Sequence, residues 1–163
     1  MTETFKADLA KARRQEEILQ FAAFDESTAW SLGNTIREKA LSRGQSVSID
    51  IRKGDDCLFF NAMPGTAPTN ADWARRKRNL VNLLHTSSYV VGLQRELGEN
   101  ILERTGLPLR DYAPHGGCFP VRISGSGFVG TITVSGLPQR EDHKLVVEVV
   151  SEFLGVDLGD SAL

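Results

Sequence analysis

The stretch "GGCFPVRISGSGFVGTITVSGLPQREDH", residues 116–143, decides the fold of this chain. Apolar and polar residues alternate over 119–124 and again over 128–135, which is typical of two strands that each bury one face. The "GSG" between them is a tight turn, so the strands are expected to pair antiparallel. A Ser-Gly turn then leads into a helix from about residue 140, whose apolar residues lie on one side. The segment is therefore predicted to be a hairpin followed by a helix.

The rest of the chain predicts a second hairpin and several further helices. "SVSIDIRKGDDCLFFNA", residues 46–62, predicts a second hairpin with one buried face and a turn at "KGDD". Four further helices are predicted, over 4–20, from the N-cap Asp25 to Gly44, over 71–87, and over about 87–97. Thr69 or Asn70 is expected to cap the third of these. Residues 103–117 are expected to form an ordered loop. Hairpins pair antiparallel strands, so the predicted class is α+β, a single antiparallel sheet flanked by helices in one domain, 1–163.

Composition excludes several classes of function. A net charge of −2 argues against nucleic acid as a partner. No segment approaches the roughly 18 apolar residues of a membrane span, and the charged N-terminus has no signal-peptide core, so a cytoplasmic location is expected. The two cysteines, Cys57 and Cys118, lack metal-ligand spacing and are expected to be reduced and buried.

The turn before the last helix is the first candidate site. Ser135 and Gly136 end a strand just before a helix begins, and backbone N–H groups at such a junction favour an anion. Asp142 and Glu141, in the first turn of that helix, also complement the helix dipole by themselves. Two interpretations remain open: a capped helix start, or part of a ligand site.

Lys77 is the second candidate. It lies in the apolar stripe formed by Trp73, Leu80 and Leu84, at a position where leucine would be expected. A lysine on a buried face must reach solvent along its own stem, pair with an internal acid, or face a polar cavity. All three arrangements are compatible with the sequence.

Histidines and one strand glycine complete the candidates. His115 lies in a Gly-rich loop and His143 in the first turn of the last helix, so either can approach a site, and a nucleophilic pair of Cys118 with either is a further alternative. None of the three histidines has metal-ligand spacing, so no metal site is expected. Gly130, inside a strand, indicates either close approach by a ligand or another backbone, or room for an aromatic ring.

The glycine, proline and turn residues of 116–142 resemble the signature of the HbpS/GlcG-like family, often labelled haem-degrading domain proteins. The matching residues are Gly116, Gly117, Pro120, Gly125, Val129, Gly130, Val134, Ser135, Gly136 and Asp142, and Lys77 matches a lysine on the family's middle helix. Three sequence segments, "DWARRKRNLV", "SSYVVGL" and "SGLPQREDH", resemble one branch of that family more closely, and the resemblance covers roughly residues 20–155.

This resemblance implies a profilin-like sheet, assembly into dimers or larger rings, and haem or iron as a ligand of some relatives. No position here matches a ligand residue of the family, so haem is carried over only as a candidate cofactor. The charged helix within residues 1–20 has a weak apolar stripe, and together with the resemblance this predicts a role in homo-oligomer assembly.

Three functions follow as hypotheses. The first is a small-molecule binding domain for haem or another anionic ligand, with its pocket between the Lys77 helix and the turn over 135–143. The second is a haem-degrading or peroxidase-like enzyme, and the third is an oligomeric interaction protein without catalysis. The residues predicted to contact a ligand are Lys77, Gly117, Gly130, Ser135, Gly136, Asp142 and His143.

Overall fold

A four-stranded antiparallel sheet with six helices forms the structure, a computed structural model that describes residues 1–163. The helices are α1 Thr2–Ile18, α2 Glu26–Ser42, α3 Pro68–Leu84, α4 Ser88–Glu96, α5 Ile101–Thr105 and α6 Gln139–Leu154. The strands are β1 Ser48–Lys53, β2 Asp56–Ala62, β3 Cys118–Ile123 and β4 Gly127–Ser135, in the spatial order β2-β1-β4-β3. The predicted α+β class with a single antiparallel sheet is confirmed.

One face of the sheet carries the main apolar core. Helices α2 and α6 pack on it, and their apolar side chains meet the alternate strand residues Val47, Ile49, Ile51, Phe59, Phe119, Val121, Ile132 and Val134. Burial of this apolar area is the main favourable term in folding. Asp25 caps α2 as predicted, because its side chain accepts the Thr28 N–H at 2.9 Å.

The opposite face is also covered, by α3, and it is polar. The prediction of one buried face per strand was therefore wrong for β1, β3 and β4, since residues of this second face are buried in each of them: Asp50, Cys118, Pro120, Thr131 and Thr133. Asp50 is paired there with Arg52 at 3.1 Å and with Arg78 of α3 at 2.9 Å. These ion pairs are why a carboxylate can lie under a helix at all.

Helix α1 packs on its own chain through buried polar groups. Asp8 accepts hydrogen bonds from the Tyr89 hydroxyl at 2.7 Å and from Arg140 at 2.8 Å. Glu16 accepts the Ser87 N–H at 2.7 Å. The weak apolar stripe of α1 therefore has an explanation within the chain, and a role of this helix in assembly stays a prediction.

Smaller differences from the expected layout have local causes. The short helix α5 begins before the segment expected to be a loop from residue 103 and ends inside it, and five residues are too few to show a helical period. The N-cap of α3 is Ala67, followed by Pro68, whereas Asn70 accepts the Ala67 N–H at 2.9 Å. Cys57, expected to be buried, is exposed at the hairpin end of the edge strand β2.

Candidate functional site

A cavity of about 240 Å³ lies between α3 and the turn that joins β4 to α6. This is where the sequence predicts a pocket. Nine residues line it: Asn70, Trp73, Lys77, His115, Ser135, Gly136, Leu137, Gln139 and Asp142. Only Trp73 and Leu137 among them are hydrophobic, so the lining is mainly polar.

Helix α3 supplies one wall of the cavity. Asn70, Trp73 and Lys77 are spaced three and four residues apart, which places them on one face of a helix. The Trp73 ring meets the His115 ring edge to face, with 5.1 Å between ring centroids. The Arg76 guanidinium lies 4.2 Å from the centre of the Trp73 ring, which holds the indole in place by a cation–π contact.

A buried ion pair joins α3 to α6 at the cavity. Lys77 Nζ donates to Asp142 Oδ2 at 2.9 Å and to the Val134 carbonyl at 3.1 Å, and both charged side chains are nearly inaccessible to solvent, at 4% and 2%. Burial raises the pKa of the Asp142 carboxyl, and the lysine opposes this effect. Of the three arrangements open for Lys77, the structure has the pair with an internal acid, at a position that also lines the cavity.

The backbone amides of the Ser-Gly turn bind this same carboxylate. The Leu137 N–H donates to Asp142 Oδ1 at 2.9 Å, and the Gly136 N–H donates to Oδ2 at 3.4 Å. The turn thus folds over the first turn of α6, and the anion at its amides is supplied by the chain itself. Gly117 packs beside the pair with φ +132°, and a Cβ there would come within 2.7 Å of Lys77 Nζ.

Hydrogen-bond donors without partners also line the cavity. Asn70 Oδ1 accepts the Ala67 N–H, and Gln139 Oε1 accepts the Gly116 N–H at 3.1 Å. A backbone N–H can only donate, so both amide oxygens are fixed by these bonds. The side-chain NH₂ groups of Asn70 and Gln139 make no hydrogen bond within the chain, and neither does the Ser135 hydroxyl.

Positive charges outnumber negative charges around His115, where Glu96 is the one acidic residue that opposes them. The pKa of His115 is lowered by burial first, and then by the positive charges of Lys77, Arg95 and Arg76. Its imidazole is consequently neutral near pH 7, and its Nδ1 is buried without a hydrogen-bond partner in the chain.

Three of the seven predicted ligand residues lie outside the lining. Gly130 faces β1, where a Cβ would come within 2.1 Å of the Arg52 carbonyl oxygen, so this glycine permits close approach of another backbone. His143 is fully buried against α1, with Nε2 2.9 Å from Gln15 Oε1, and burial lowers its pKa to about 3. Lys77, Ser135, Gly136 and Asp142 line the cavity, and Gly117 adjoins it. Contact of any of the seven with a ligand stays a prediction.

The alternative of a nucleophilic cysteine does not fit the structure. Cys118 is buried on the sheet, where its Sγ accepts a hydrogen bond from the Thr133 hydroxyl at 3.0 Å. Burial raises the pKa of the thiol to about 12, so the reactive thiolate is not formed near neutral pH.

Five cavity residues were not among the predicted ligand residues: Asn70, Trp73, His115, Leu137 and Gln139. Two signals were available for them. Asn70 and Trp73 share a helix face with Lys77, and Gln139 belongs to the same turn as Ser135 and Gly136. His115 reaches the cavity because the 107–117 segment passes over α3. No local sequence pattern predicts this path.

Comparisons with known proteins agree with this architecture. Residues 24–151 match the profile of a family described as "Haem degrading protein HbpS-like". A UPF0303 protein of Azotobacter vinelandii is 50% identical over 157 residues, which cover 96% of this chain and 95% of that protein. None of the helices combines the length and apolar composition needed to cross a bilayer.

Solved structures share the fold. The Ybr137w protein superposes with a TM-score of 0.80 at 27% identity, covering 90% of this chain and 87% of that one. PduOC, solved as a haem complex, superposes with a TM-score of 0.64 at 16% identity, covering 79% and 92%. Since the family profile spans most of the sequence and the fold agrees, the chain belongs to the HbpS-like family.

Proposed function

We propose that this protein binds a small anionic ligand in the cavity between α3 and the β4–α6 turn. The observation that carries the proposal is the imbalance of hydrogen-bonding groups in the lining. The oxygens of Asn70, Gln139 and Asp142 are already used by donors of the chain, whereas the NH₂ groups of Asn70 and Gln139 are not paired. Gln139 is exposed and Asn70 is half-buried, so these NH₂ groups are open to water, and a ligand rich in acceptors can replace that water.

The charges around the cavity support the same conclusion. Lys77 is neutralised by Asp142, but Arg76 and Arg95 add to the positive potential that acts on His115. An anion in this partly enclosed cavity is less screened by water than at the open surface and gains more from such charges. An ammonium ligand would meet both the unpaired donors and the positive potential.

Haem is the ligand that the family description and the PduOC complex bring into consideration. The lining fits it poorly, because a macrocycle needs broad apolar walls and only two of the nine residues are hydrophobic. His115 is the one lining residue of a type that commonly holds haem iron. The cavity of about 240 Å³ is also smaller than the roughly 300–1,000 Å³ of drug-sized sites.

Acetate titration of ¹⁵N-labelled protein tests the proposal. The side-chain NH₂ signals of Asn70 and Gln139 and the indole signal of Trp73 are expected to shift saturably with sodium acetate, and not with sodium chloride at equal ionic strength. Gln139→Glu keeps an oxygen for the Gly116 N–H but removes a donor and adds a negative charge. We expect it to weaken acetate binding at least about tenfold.

The matched control is Gln20→Glu, the same change at an exposed position outside the cavity, which should leave acetate binding unchanged. If acetate shifts none of the three signals beyond the effect of chloride, or if both variants bind acetate equally, the proposal fails.

We also propose that the protein forms a homo-oligomer through the free edge of β2. This strand pairs only with β1, so its other edge presents unpaired backbone groups. Trp30 is 59% exposed and Phe60 is 49% exposed, and both lie beside this edge. Light scattering should give a mass above the 17.9 kDa monomer, and Phe60→Lys should lower it. A monomer across micromolar concentrations would contradict this.

A further inference from the structure

We infer that the ligand is a small monocarboxylic acid with a flat, unsaturated body, of about the size of a single aromatic ring. The inference rests on the proposed binding of an anion in the cavity and goes beyond it by naming the anionic group, its charge and the shape of the rest of the molecule.

The charge of the lining favours one negative charge over two. Its charged residues are Lys77 and Asp142, which cancel each other, so only the surrounding arginines provide excess positive charge. Arg76 is the arginine nearest the lining, and its guanidinium stacks on Trp73 and donates to the Leu109 carbonyl. No arginine is thus placed to hold a phosphate through two parallel hydrogen bonds.

Part of the backbone site that a phosphate would use is also occupied. Phosphates bind at helix N-termini through free backbone N–H groups. Ahead of α6, the N–H groups of Gly136 and Leu137 already donate to the Asp142 carboxylate. The remaining side-chain donors include the amide NH₂ groups, the Ser135 hydroxyl and the Lys77 ammonium, which has one N–H beyond those donated to Asp142 and Val134. Such a set matches the two oxygens of a carboxylate.

Shape and size follow from the aromatic wall. Trp73 is the largest apolar surface of the lining and is held rigidly by Arg76 and His115. A flat ligand gains from contact with an indole, typically about two- to tenfold in affinity over a saturated one. The cavity volume of about 240 Å³ accommodates one ring or a short conjugated chain.

Fluorescence titration with four probes tests this inference. The chain has two tryptophans, so Trp30→Phe leaves Trp73 as the only reporter. Benzoate should bind at least about tenfold more tightly than benzamide, which has the same shape without the charge, and more tightly than phenyl phosphate. Cyclohexanecarboxylate should bind about two- to tenfold more weakly than benzoate. Asn70→Asp keeps the acceptor for Ala67 and should weaken benzoate binding at least about tenfold.

Each contrary result has a defined meaning. If phenyl phosphate binds more tightly than benzoate, the carboxylate is wrong and the proposed anion site stands. Equal binding of cyclohexanecarboxylate would overturn the flat shape, and equal binding of benzamide would overturn the charge. If benzoate does not bind although acetate shifts the Asn70 and Gln139 signals, this inference fails alone. If neither anion binds, the proposed function fails with it.

Discussion

Replacing Lys77 by methionine tests the ion pair on which the cavity is built. Methionine keeps most of the volume of the lysine stem, so little packing is lost, but Asp142 would be left buried without its counter-charge. Removing one partner of a buried pair typically costs about 3–5 kcal/mol. Because the backbone N–H groups of Gly136 and Leu137 still bind the carboxylate, we expect a loss near the lower end, about 3 kcal/mol.

Urea unfolding followed by circular dichroism measures this loss. Lys6→Met is the matched control, because Lys6 forms only an exposed pair with Glu3, and its effect should stay within about 0.5 kcal/mol. Asp142→Asn keeps an oxygen for the Leu137 N–H and removes the charge. Combined with Lys77→Met, it should recover about 2 kcal/mol or more relative to the sum of the two single losses.

The pH dependence of Lys77→Met gives a second check. Without the lysine, nothing in the pair opposes the rise that burial causes in the pKa of Asp142. A carboxyl whose pKa is raised on folding takes up a proton in the folded state, so its stability contribution is largest at low pH and is lost as pH rises. The deficit of the variant should therefore be smaller at pH 5 than at pH 8. A loss below about 1 kcal/mol at pH 8, with an unchanged denaturant slope, would refute the reasoning.

The remaining predictions concern acid stability, the sheet and haem. Because burial lowers the pKa of His143 to about 3, the unfolded chain binds an extra proton below pH 6.5, and the free energy of unfolding should fall by about 2 kcal/mol from pH 7 to pH 5 through this residue. His143→Gln should remove this part of the pH dependence of the free energy of unfolding and leave the smaller part due to His115. An unchanged pH dependence in the variant would contradict the role of His143. Gly130→Ala should destabilise the protein by about 1–3 kcal/mol in the same assay, because its Cβ would strike the Arg52 carbonyl; a neutral effect would show that β1 yields easily. Haem titration should give weak or substoichiometric binding, and a sharp Soret band at one equivalent that a single His→Ala change abolishes would overturn this.

The sheet and its apolar helices could be predicted because their signals are local. Alternation over 119–124 and 128–135, the glycine turns, and the N-cap Asp25 each depend on residues that are neighbours in sequence. These features set the strand pairing of each hairpin and the face on which α6 packs. The position of the cavity could also be predicted from local features. Lys77 is a charged residue in an apolar helical stripe, and the 135–143 turn joins a strand to a helix N-terminus.

The polar contacts could not be predicted, because their partners are far apart in sequence. Asp50 looks like a solvent-facing strand residue until Arg78, 28 residues later, is brought over it by α3. Asp142 looks like a simple dipole-complementing acid until Lys77, 65 residues earlier, is found beside it. The charged helix α1 resembles a surface helix in sequence, because the partners of its polar residues lie far along the chain. Asp8 is in fact buried under Tyr89 and Arg140. A residue's polarity indicates that it needs a partner and does not indicate which one.

The two faces of the sheet should differ in which substitutions they accept. Under α2 and α6, contacts such as those of Ile49 and Ile132 are non-directional, so exchanges among aliphatic residues of similar volume cost little. Under α3, Asp50 and Lys77 hold partners at fixed distances and angles, so even a change of similar volume leaves a charge buried alone. In a saturation mutagenesis library scored for folded protein, the first face should retain many aliphatic variants at each position. The second face should retain almost none at its charged positions, and variation there should occur mainly as paired changes.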